Sequence, residues 1–330
     1  MIPMAGAAHP PDGQYDADIV ILSLERTDET IAAIASACAQ TAVSFHIFVL
    51  DQGSCSTSLA RLACAIKENP KVSLFVSGSN LGVAGGRNVI SNMGHGRVIV
   101  ALDNDAEFAD TLTVARMVAA LDAEPRLGAI GCRIVRYADG RDDRSSWGYP
   151  DALMPSAGAC FDTVTFVGAG HSIRRDTWQQ AGGYDPRLFF CWEEYDFCLR
   201  AIAHGWQVRY RGDIVIRHKV CGEQRVGWSA NRWFYHVRNR LYIERKLGRS
   251  WVSLTPRIGG YLLKGLRNDL REQTVQAIRA AVSMVPDATQ TLPPAGKSYF
   301  IRNDKAHRGS VQRRLLQEVF SRIAAAPTGQ

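Results

Sequence analysis

Three acids fall within four positions in the stretch CWEEYDFCLRAIAHGW, residues 191–206. Glu193 and Glu194 are adjacent and follow Trp192. Mutual repulsion and an apolar neighbour raise the pKa of a carboxylate, and a general base working near neutral pH needs such tuning. The residues that follow read as an apolar helix. Acids also suit the positive N-terminal end of a helix, where the first N–H groups lack intrahelical partners. Asp196 and Arg200 then form an i,i+4 pair. Capping accounts for Asp196 but leaves the paired glutamates open.

Asp103 and Asp105 lie two apart in LDNDAEF. In extended chain the side chains at i and i+2 point the same way, so both carboxylates can face one divalent cation, with Asn104 turned elsewhere. A solvated turn is the competing explanation. NLGVAGGRN sets Gly82, Gly85 and Gly86 ahead of Arg87 and Asn88 at a helix start. Exposed N–H groups and an arginine suit phosphate oxygens, although tight turns use glycine equally well. Asp51 ends a strand, where it can accept hydrogen bonds from a nucleotide's base or ribose, or cap a helix together with Ser54 and Ser56. His218 closes IVIRH at another strand end, a place for a surface histidine or a ligand.

The elements that must carry these residues alternate. DIVILSL, FHIFVL, KVSLFV and RVIVAL read as strands, with helices expected over 28–40, 57–68 and 83–93. Near-continuous apolar strands separated by helices of about three turns predict an α/β domain, doubly wound around a mostly parallel sheet. Ligands bind beyond the carboxyl ends of such strands, where SLERTD, DQGSCS, SGSNLGVAGGRN and DNDAEF stand. No GxGxxG follows the first strand, which disfavours a nicotinamide or flavin site. Beyond residue 127, LGAIGCRIV and FDTVTFVGAGHSI read as strands around a charged, Gly- and Pro-rich loop over 138–158. A helix over 193–204, the strand-like WQVRYRGDIVIRH and a basic helical C-terminal third complete the chain.

With 330 residues, 46% hydrophobic and 22% charged, the composition is globular and excludes disordered and fibrous classes. The first residues lack the basic and apolar regions of a signal peptide, and no apolar run is long enough to span a bilayer, so a cytoplasmic protein is expected. Eight cysteines, at 38, 55, 64, 132, 160, 191, 198 and 221, show no CxxC pair and read as reduced. Residues 1–220 carry 20 Lys/Arg against 25 Asp/Glu and residues 221–330 carry 19 against 7, so the two parts are −5 and +12. That asymmetry points to an anionic partner for the C-terminal third, nucleic acid or the face of a membrane.

Taken in order, ILSLERTDET, VLDQGSCS, NLGVAGGRN, LDNDAEF, the long block GAGHSIRRDTWQQAGGYDPRLFFCWEEYDFCLRAIAHGW, IRH and YHVRNRL resemble the family 2 glycosyltransferases. These are inverting nucleotide-sugar enzymes of the GT-A fold, and the resemblance runs from about residue 18 to 245. It implies that Leu24, Glu25, Arg26 and Asp51 line the nucleotide pocket, with Arg87 and Asn104 near it. Asp103 and Asp105 become the DxD motif that holds Mg²⁺ or Mn²⁺ and the diphosphate, and His218 a further metal ligand. The general base falls on Glu194, with Glu193 beside it, and Gly170, His171 and Trp192 lie on the acceptor side. Glu25, Gln52 and Glu194 depart from the usual Asn, Asn and Asp of the family.

The resemblance therefore implies transfer of a sugar from a UDP- or dTDP-linked donor to a glycan or lipid-linked acceptor, as in cell-surface polysaccharide synthesis. A nucleotidyltransferase and a catalytically silent scaffold subunit are the alternatives. The expected organisation is a flexible start over 1–17, a GT-A domain over 18–245 divided at residue 108, and a basic helical region over 246–330. A homodimer is compatible with the sequence. No nucleic-acid module accompanies the basic third, so nucleic acid is not an expected partner. In TPRIGGYLLKGLRNDLREQTVQAIRAAVSMV a continuous apolar stripe through Ile258, Leu262, Leu266, Leu270, Val275, Ile278 and Val282 is expected. With Arg257, Lys264, Arg267 and Arg271 available for headgroups, it predicts peripheral contact with the inner face of a membrane.

Overall fold

A computed structural model describes residues 1–219 and 230–310 of the chain. Cys221 and the last part of the C-terminal region lie outside the described residues. Strand β1 (Ile2–Gly6) precedes β2 (Ala17–Ser23), β3 (Phe45–Asp51), β4 (Val72–Val76) and β5 (Val98–Leu102), between which stand α1 (Thr27–Cys38), α2 (Ser56–Ile66) and α3 (Gly82–Ser91). β2 to β5 pair in parallel in the order β4-β3-β2-β5. Every residue of β3 is buried, as expected for a strand covered on both faces. Ser23 lies opposite Asp51 and Ile21 opposite Leu102, which brings the loops after β2, β3 and β5 to one edge of the sheet. The segment expected to be flexible corrects the reading: β1 pairs antiparallel with β4, Ile2 opposite Val76, and closes the sheet edge.

The second half adds β6 (Ala106–Phe108), α4 (Thr113–Ala123), β7 (Leu127–Arg136), β8 (Cys160–Thr163), β9 (Gly170–Arg174), α5 (Arg175–Ala181), α6 (Glu193–Ala203) and β10 (Gln207–His218). FDTVTFVGAGHSI is therefore two strands. β9 inserts antiparallel between β5 and β7, with Ile173 opposite both Ile99 and Ala129. β10 runs parallel to β7 and antiparallel to β6 and β8. The result is one mixed sheet of ten strands among the described residues. One apolar cluster joins Ala33, Ile34, Leu62 and Met117 to one face, and a second joins Ala84, Ile90, Trp178 and Phe197 to the other. This is the GT-A architecture that the motifs imply.

Helices α7 (Ala230–Lys246), α8 (Trp251–Arg267), α9 (Arg271–Ser283) and α10 (Pro294–Asn303) follow. Trp233, Val237, Leu254, Tyr261 and Ala277 form a third cluster among α7, α8 and α9. α10 returns to the main sheet, where the Tyr299 hydroxyl donates to the Val208 carbonyl at 2.8 Å and accepts from its N–H at 3.0 Å. The expected continuous stripe is not formed. The helix stops at Asn268, Asp269 turns at φ 55°, and the Leu270 N–H closes back on the Gly265 carbonyl at 2.8 Å. Ile258, Leu270 and Ile278 then pack onto the third cluster, while Leu262, Leu266 and Val282 stay exposed. Arg257 faces Glu244 and Lys264 lies over the Trp233 ring, so neither is directed to a surface partner. Among the described residues no helix is long and apolar enough to cross a membrane.

Candidate active site

Asp103 leaves β5 with its N–H on the Ala169 carbonyl at 3.1 Å, and its own carbonyl accepts the Ala106 N–H at 3.0 Å. The two aspartates are thus brought together by a tight turn into β6, not by extended chain. Asn104 does turn elsewhere, its amide donating to the Thr30 hydroxyl at 3.2 Å. Because β10 pairs with β6, His218 arrives opposite Ala106 and its Nε2 lies 3.2 Å from Asp105 Oδ1. One ligand atom from each of Asp103, Asp105 and His218 lies within 4.8 Å of the others. Two carboxylates and an imidazole suit a hard or borderline divalent ion such as Mn²⁺, and a 3.2 Å spacing is close to that of adjacent ligands on an ion with bonds of about 2.1 Å. The residues present fit the metal.

Asp105 also pairs with the Arg26 guanidinium. Burial works against its ionisation, but His218 and Arg26 hold its carboxyl below the usual range. Burial opposes a charge on His218 too, yet hydrogen bonds to Asp105 and Asp143 outweigh it and push the imidazole up to about 9. Asp143 is the residue behind the ligand. Its Oδ2 lies 3.2 Å from His218 Nδ1, and the same carboxylate accepts Ser145 N–H at 3.0 Å and the Ser146 hydroxyl at 2.5 Å. It fixes which imidazole nitrogen faces the aspartates.

Across the turn, Arg87 is buried in α3 and reaches Asp103 Oδ1 at 2.6 Å, the Gly168 carbonyl at 2.7 Å and Glu194 Oε1 at 3.7 Å. Burial disfavours its charge, and the carboxylates of Asp103 and Glu194 restore it. Glu193 and Glu194 open α6. Glu193 is 2% exposed and Glu194's side chain 15%, so the second is the one that can meet a ligand. Burial raises the pKa of both; Arg87 pulls Glu194 back down, whereas the neighbouring Glu194 pushes Glu193 higher still. The pair therefore divides: Glu193 is held further toward its protonated form, and Glu194 is the more readily ionised of the two. Gly168 leaves room for this carboxylate, since a Cβ there would lie 2.5 Å from Glu194 Oε1.

Of the residues expected to line a nucleotide pocket, Leu24 is exposed and Glu25 and Arg26 both take left-handed backbone, φ 54° and 51°. Glu25 is committed to the next loop: its carboxylate accepts the Cys55 N–H at 2.6 Å and the Ser58 hydroxyl at 2.8 Å, which lowers its pKa. Asp51 is fully buried and accepts from Gly53 N–H, Ser54 N–H and the Ser54 hydroxyl, so it shapes its own loop. The glycine segment does not offer its first N–H groups to phosphate. Val83 and Ala84 donate to the Phe189 carbonyl at 2.7 and 3.3 Å, and Gly82 is needed because a Cβ would lie 2.3 Å from that oxygen.

The residues expected on the acceptor side are packed into the fold. Gly170 lies in β9 against Ile216, and His171 is buried with Nε2 2.9 Å from the Tyr184 hydroxyl and its ring stacked on Phe166. Burial keeps that imidazole neutral, its pKa well below the ordinary value. Trp192 is half-buried; its indole N–H donates to the His236 carbonyl at 3.1 Å and the Arg240 guanidinium lies over its ring. His171 Nε2 and the Trp192 indole are thus already partnered, while His171 Nδ1 is buried without a hydrogen-bond partner. The sequence alone did not single out Asp143, which sits in a loop without periodicity, or α7 as a support of α6. YHVRNRL carried the resemblance, but only the polar Asn239 within its apolar spacing hinted at a structural role for the helix.

The geometry agrees with the comparisons. Residues 18–180 match the family model described as Glycosyl transferase family 2. Among curated proteins, an uncharacterized protein from Haemophilus influenzae is 25% identical over 167 residues, covering 50% of this chain and 90% of its own. The succinoglycan biosynthesis protein ExoO of Rhizobium meliloti is 31% identical over 141 residues, 41% of this chain and 39% of its own, so the match spans well under half of that relative. Two solved structures share the fold. The mannosyltransferase PcManGT from Pyrobaculum calidifontis, in complex with GDP-Man and Mn²⁺, has a TM-score of 0.54 at 14% identity over 95% of this chain and 88% of its own. GalNAc-T7 with UDP, GalNAc and Mn²⁺ has a TM-score of 0.59 at 13% identity over 93% of this chain and 58% of its own. A GT-A sheet, an Asp-Asp-His cluster at its edge and the family match agree, and residues 18–180 of the chain belong to glycosyl transferase family 2.

Proposed function

We propose that the protein transfers a sugar from a nucleoside-diphosphate donor to an acceptor hydroxyl with inversion at the anomeric carbon, and that Glu194 is the general base. The observation that carries this reading is Arg87, whose guanidinium spans from Asp103 to Glu194 and so sets the DxD turn beside the one partly accessible carboxylate of the pair. Glu194 takes the acceptor proton as the oxygen attacks. Ionised beside Arg87, it can hold that proton without accumulating negative charge at the buried start of α6. Asp103, Asp105 and His218 would hold Mg²⁺ or Mn²⁺, which when bound supplies positive charge to the departing diphosphate. Leu24, Glu25, Arg26, Asp51 and Asn104 shape the donor pocket, Glu25 and Asp51 by fixing the loops around it. Trp192 supports the acceptor side.

The donor reading draws on the GDP-Man and UDP complexes of the structural neighbours, and UDP or dTDP is the base we favour. A role in polysaccharide synthesis draws on the succinoglycan relative. The acceptor we favour is a glycan or lipid-linked saccharide at the inner face of a membrane, reached through the exposed apolar side of α8. We further divide the chain into a catalytic unit over 18–245 and a helical region beyond it. Incubation of the protein with a panel of nucleotide sugars and Mn²⁺, with and without acceptor, tests the reading. Release of one nucleoside diphosphate, dependent on Glu194, is expected. Pyrophosphate release, or no turnover with any donor, overturns it.

A further inference from the structure

The start of α6 is reached through a backbone that resists its own conformation. Phe189, Cys191 and Trp192, none of them glycine, have φ of 60°, 71° and 73°. Each such residue is disfavoured by contact of its Cβ with the backbone, and a run of this kind persists only where its surroundings fix it. The turn is fixed from two sides. On one, the Phe189 carbonyl accepts from the N-terminus of α3, the helix that carries Arg87. On the other stands Asn239 of α7, which is fully buried. Its Nδ2 lies 2.8 Å from each of the Leu188, Phe190 and Cys191 carbonyls, and its Oδ1 accepts from Arg238 Nε at 2.8 Å. The amide orientation is thereby fixed, with the acceptor on arginine and both hydrogens shared among three carbonyls. Without it Leu188 would keep the Arg238 guanidinium and the Phe190 N–H on its carbonyl, but the Phe190 and Cys191 carbonyls would lose their donor, a costly state that the turn escapes by unwinding.

We propose that Asn239 is a positioning residue for the general base: by gathering three carbonyls of the left-handed turn it sets the first residues of α6 so that Glu194 faces Arg87. This rests on Glu194 being the base. Asn239 itself does not touch the reacting groups. Its effect passes through the turn into the helix start, where a displacement of about 1 Å costs on the order of a hundredfold in rate.

The test uses the full chain and two variants. Asn239→Leu keeps the volume and removes the donor. Val237→Ala removes buried apolar atoms from the same helix in the third cluster and serves as a control for loss of packing. For Asn239→Leu a fall in kcat of about 10- to 100-fold is expected, with the donor KM and the Mn²⁺ requirement near those of the parent. Val237→Ala should lose thermal stability but keep kcat. Independently of turnover, the Glu194 carboxyl, assigned by its loss in Glu194→Gln, should titrate at higher pH by ¹³C NMR in Asn239→Leu, because it has moved away from Arg87. It should not move in Val237→Ala. An Asn239→Leu protein with the parent's kcat and Glu194 titration overturns the proposal, as does an equal shift in both variants. If the parent transfers no sugar, the proposed function fails, and the titration still decides the role of Asn239.

Discussion

Arg87 and Asp103 form a 2.6 Å ion pair on a guanidinium that continues to Glu194 at 3.7 Å. The side chain of Arg87 is 3% exposed, so its charge is stable there only while those carboxylates face it. Asp103 and Glu194 are therefore not electrostatically independent. Removing the cation raises the pKa of Glu194, because Arg87 is what opposes the effect of burial. At a given pH less of the base is then ionised, and the acid limb of the rate profile moves to higher pH. In Arg87→Met we expect that shift, with kcat at pH 7 lowered by on the order of tenfold or more. The pH dependence of kcat/KM checks it; an unmoved acid limb would detach Arg87 from the base.

The two glutamates should respond oppositely to the same isosteric change. Glu194→Gln removes the proton acceptor and is expected to lower turnover by about a hundredfold or more, with donor binding kept. Glu193→Gln puts a neutral amide where burial and Glu194 already disfavour the charged carboxylate, and should cost much less. A carboxyl whose folded pKa is raised contributes stability that is present below its unfolded pKa and lost as pH rises. Glu193 therefore weakens the fold at neutral and alkaline pH, and Glu193→Gln should melt no lower than the parent at pH 8. Steady-state rates and melting temperatures of both variants decide this. Reversed rate effects would move the base to Glu193.

His218 gives the metal site a pH dependence. Its pKa of about 9 lies above the ordinary 6.5, so in the metal-free protein its charge stabilises the fold fully below pH 6.5, an effect lost as pH rises through about 9. The shift corresponds to on the order of 3 kcal/mol. A metal must displace that proton, and the apparent affinity for Mn²⁺ should rise about tenfold per pH unit up to that value. Calorimetric titration between pH 6.5 and 8.5 should show it, with one proton released. In His218→Ala the affinity should be lower and this slope absent; a flat dependence in the parent would remove His218 from the ligand set.

Much of this arrangement was legible in the sequence, and the reason is local. β5 is apolar throughout, β3 is apolar from Ile47 to Leu50, and polar residues follow both at once, so Asp51 and Asp103 announced their places at strand ends. From the residues alone His218 was legible only as a strand end, and its place beside Asp105 followed from the family resemblance, because β10 meets β6 only through a long-range antiparallel pairing. Glycines 82, 85 and 86 suggested phosphate, yet Gly82 serves the approach of a backbone carbonyl more than a hundred residues away, a need that no local pattern encodes. The helical stripe beyond residue 255 failed for a related reason. Its repeat was read as one helix, whereas Asp269 breaks it and tertiary packing then takes Ile258, Leu270 and Ile278 inward.

What that break leaves outside supplies the last prediction. Val252, Leu263 and Leu266 of α8 are 80%, 53% and 59% exposed, and Val282 and Val285 lie exposed beyond them. Arg267, Arg271 and Arg279 are exposed in the same pair of helices. Asp269 and Glu272 are exposed among these arginines, so the surface is only weakly basic, and an anionic leaflet gains about 1 kcal/mol per near-surface cation. Insertion of a leucine side chain adds roughly 1.5–3 kcal/mol. The full chain is therefore expected to float with vesicles containing anionic lipid, less so as salt rises, and weakly with neutral vesicles. Leu263→Asp combined with Leu266→Asp should abolish flotation while leaving hydrolysis of the soluble donor unchanged, since neither residue approaches the site. Flotation indifferent to salt and lipid charge, or none at all with the protein dimeric by sedimentation, would assign this face to a second copy instead.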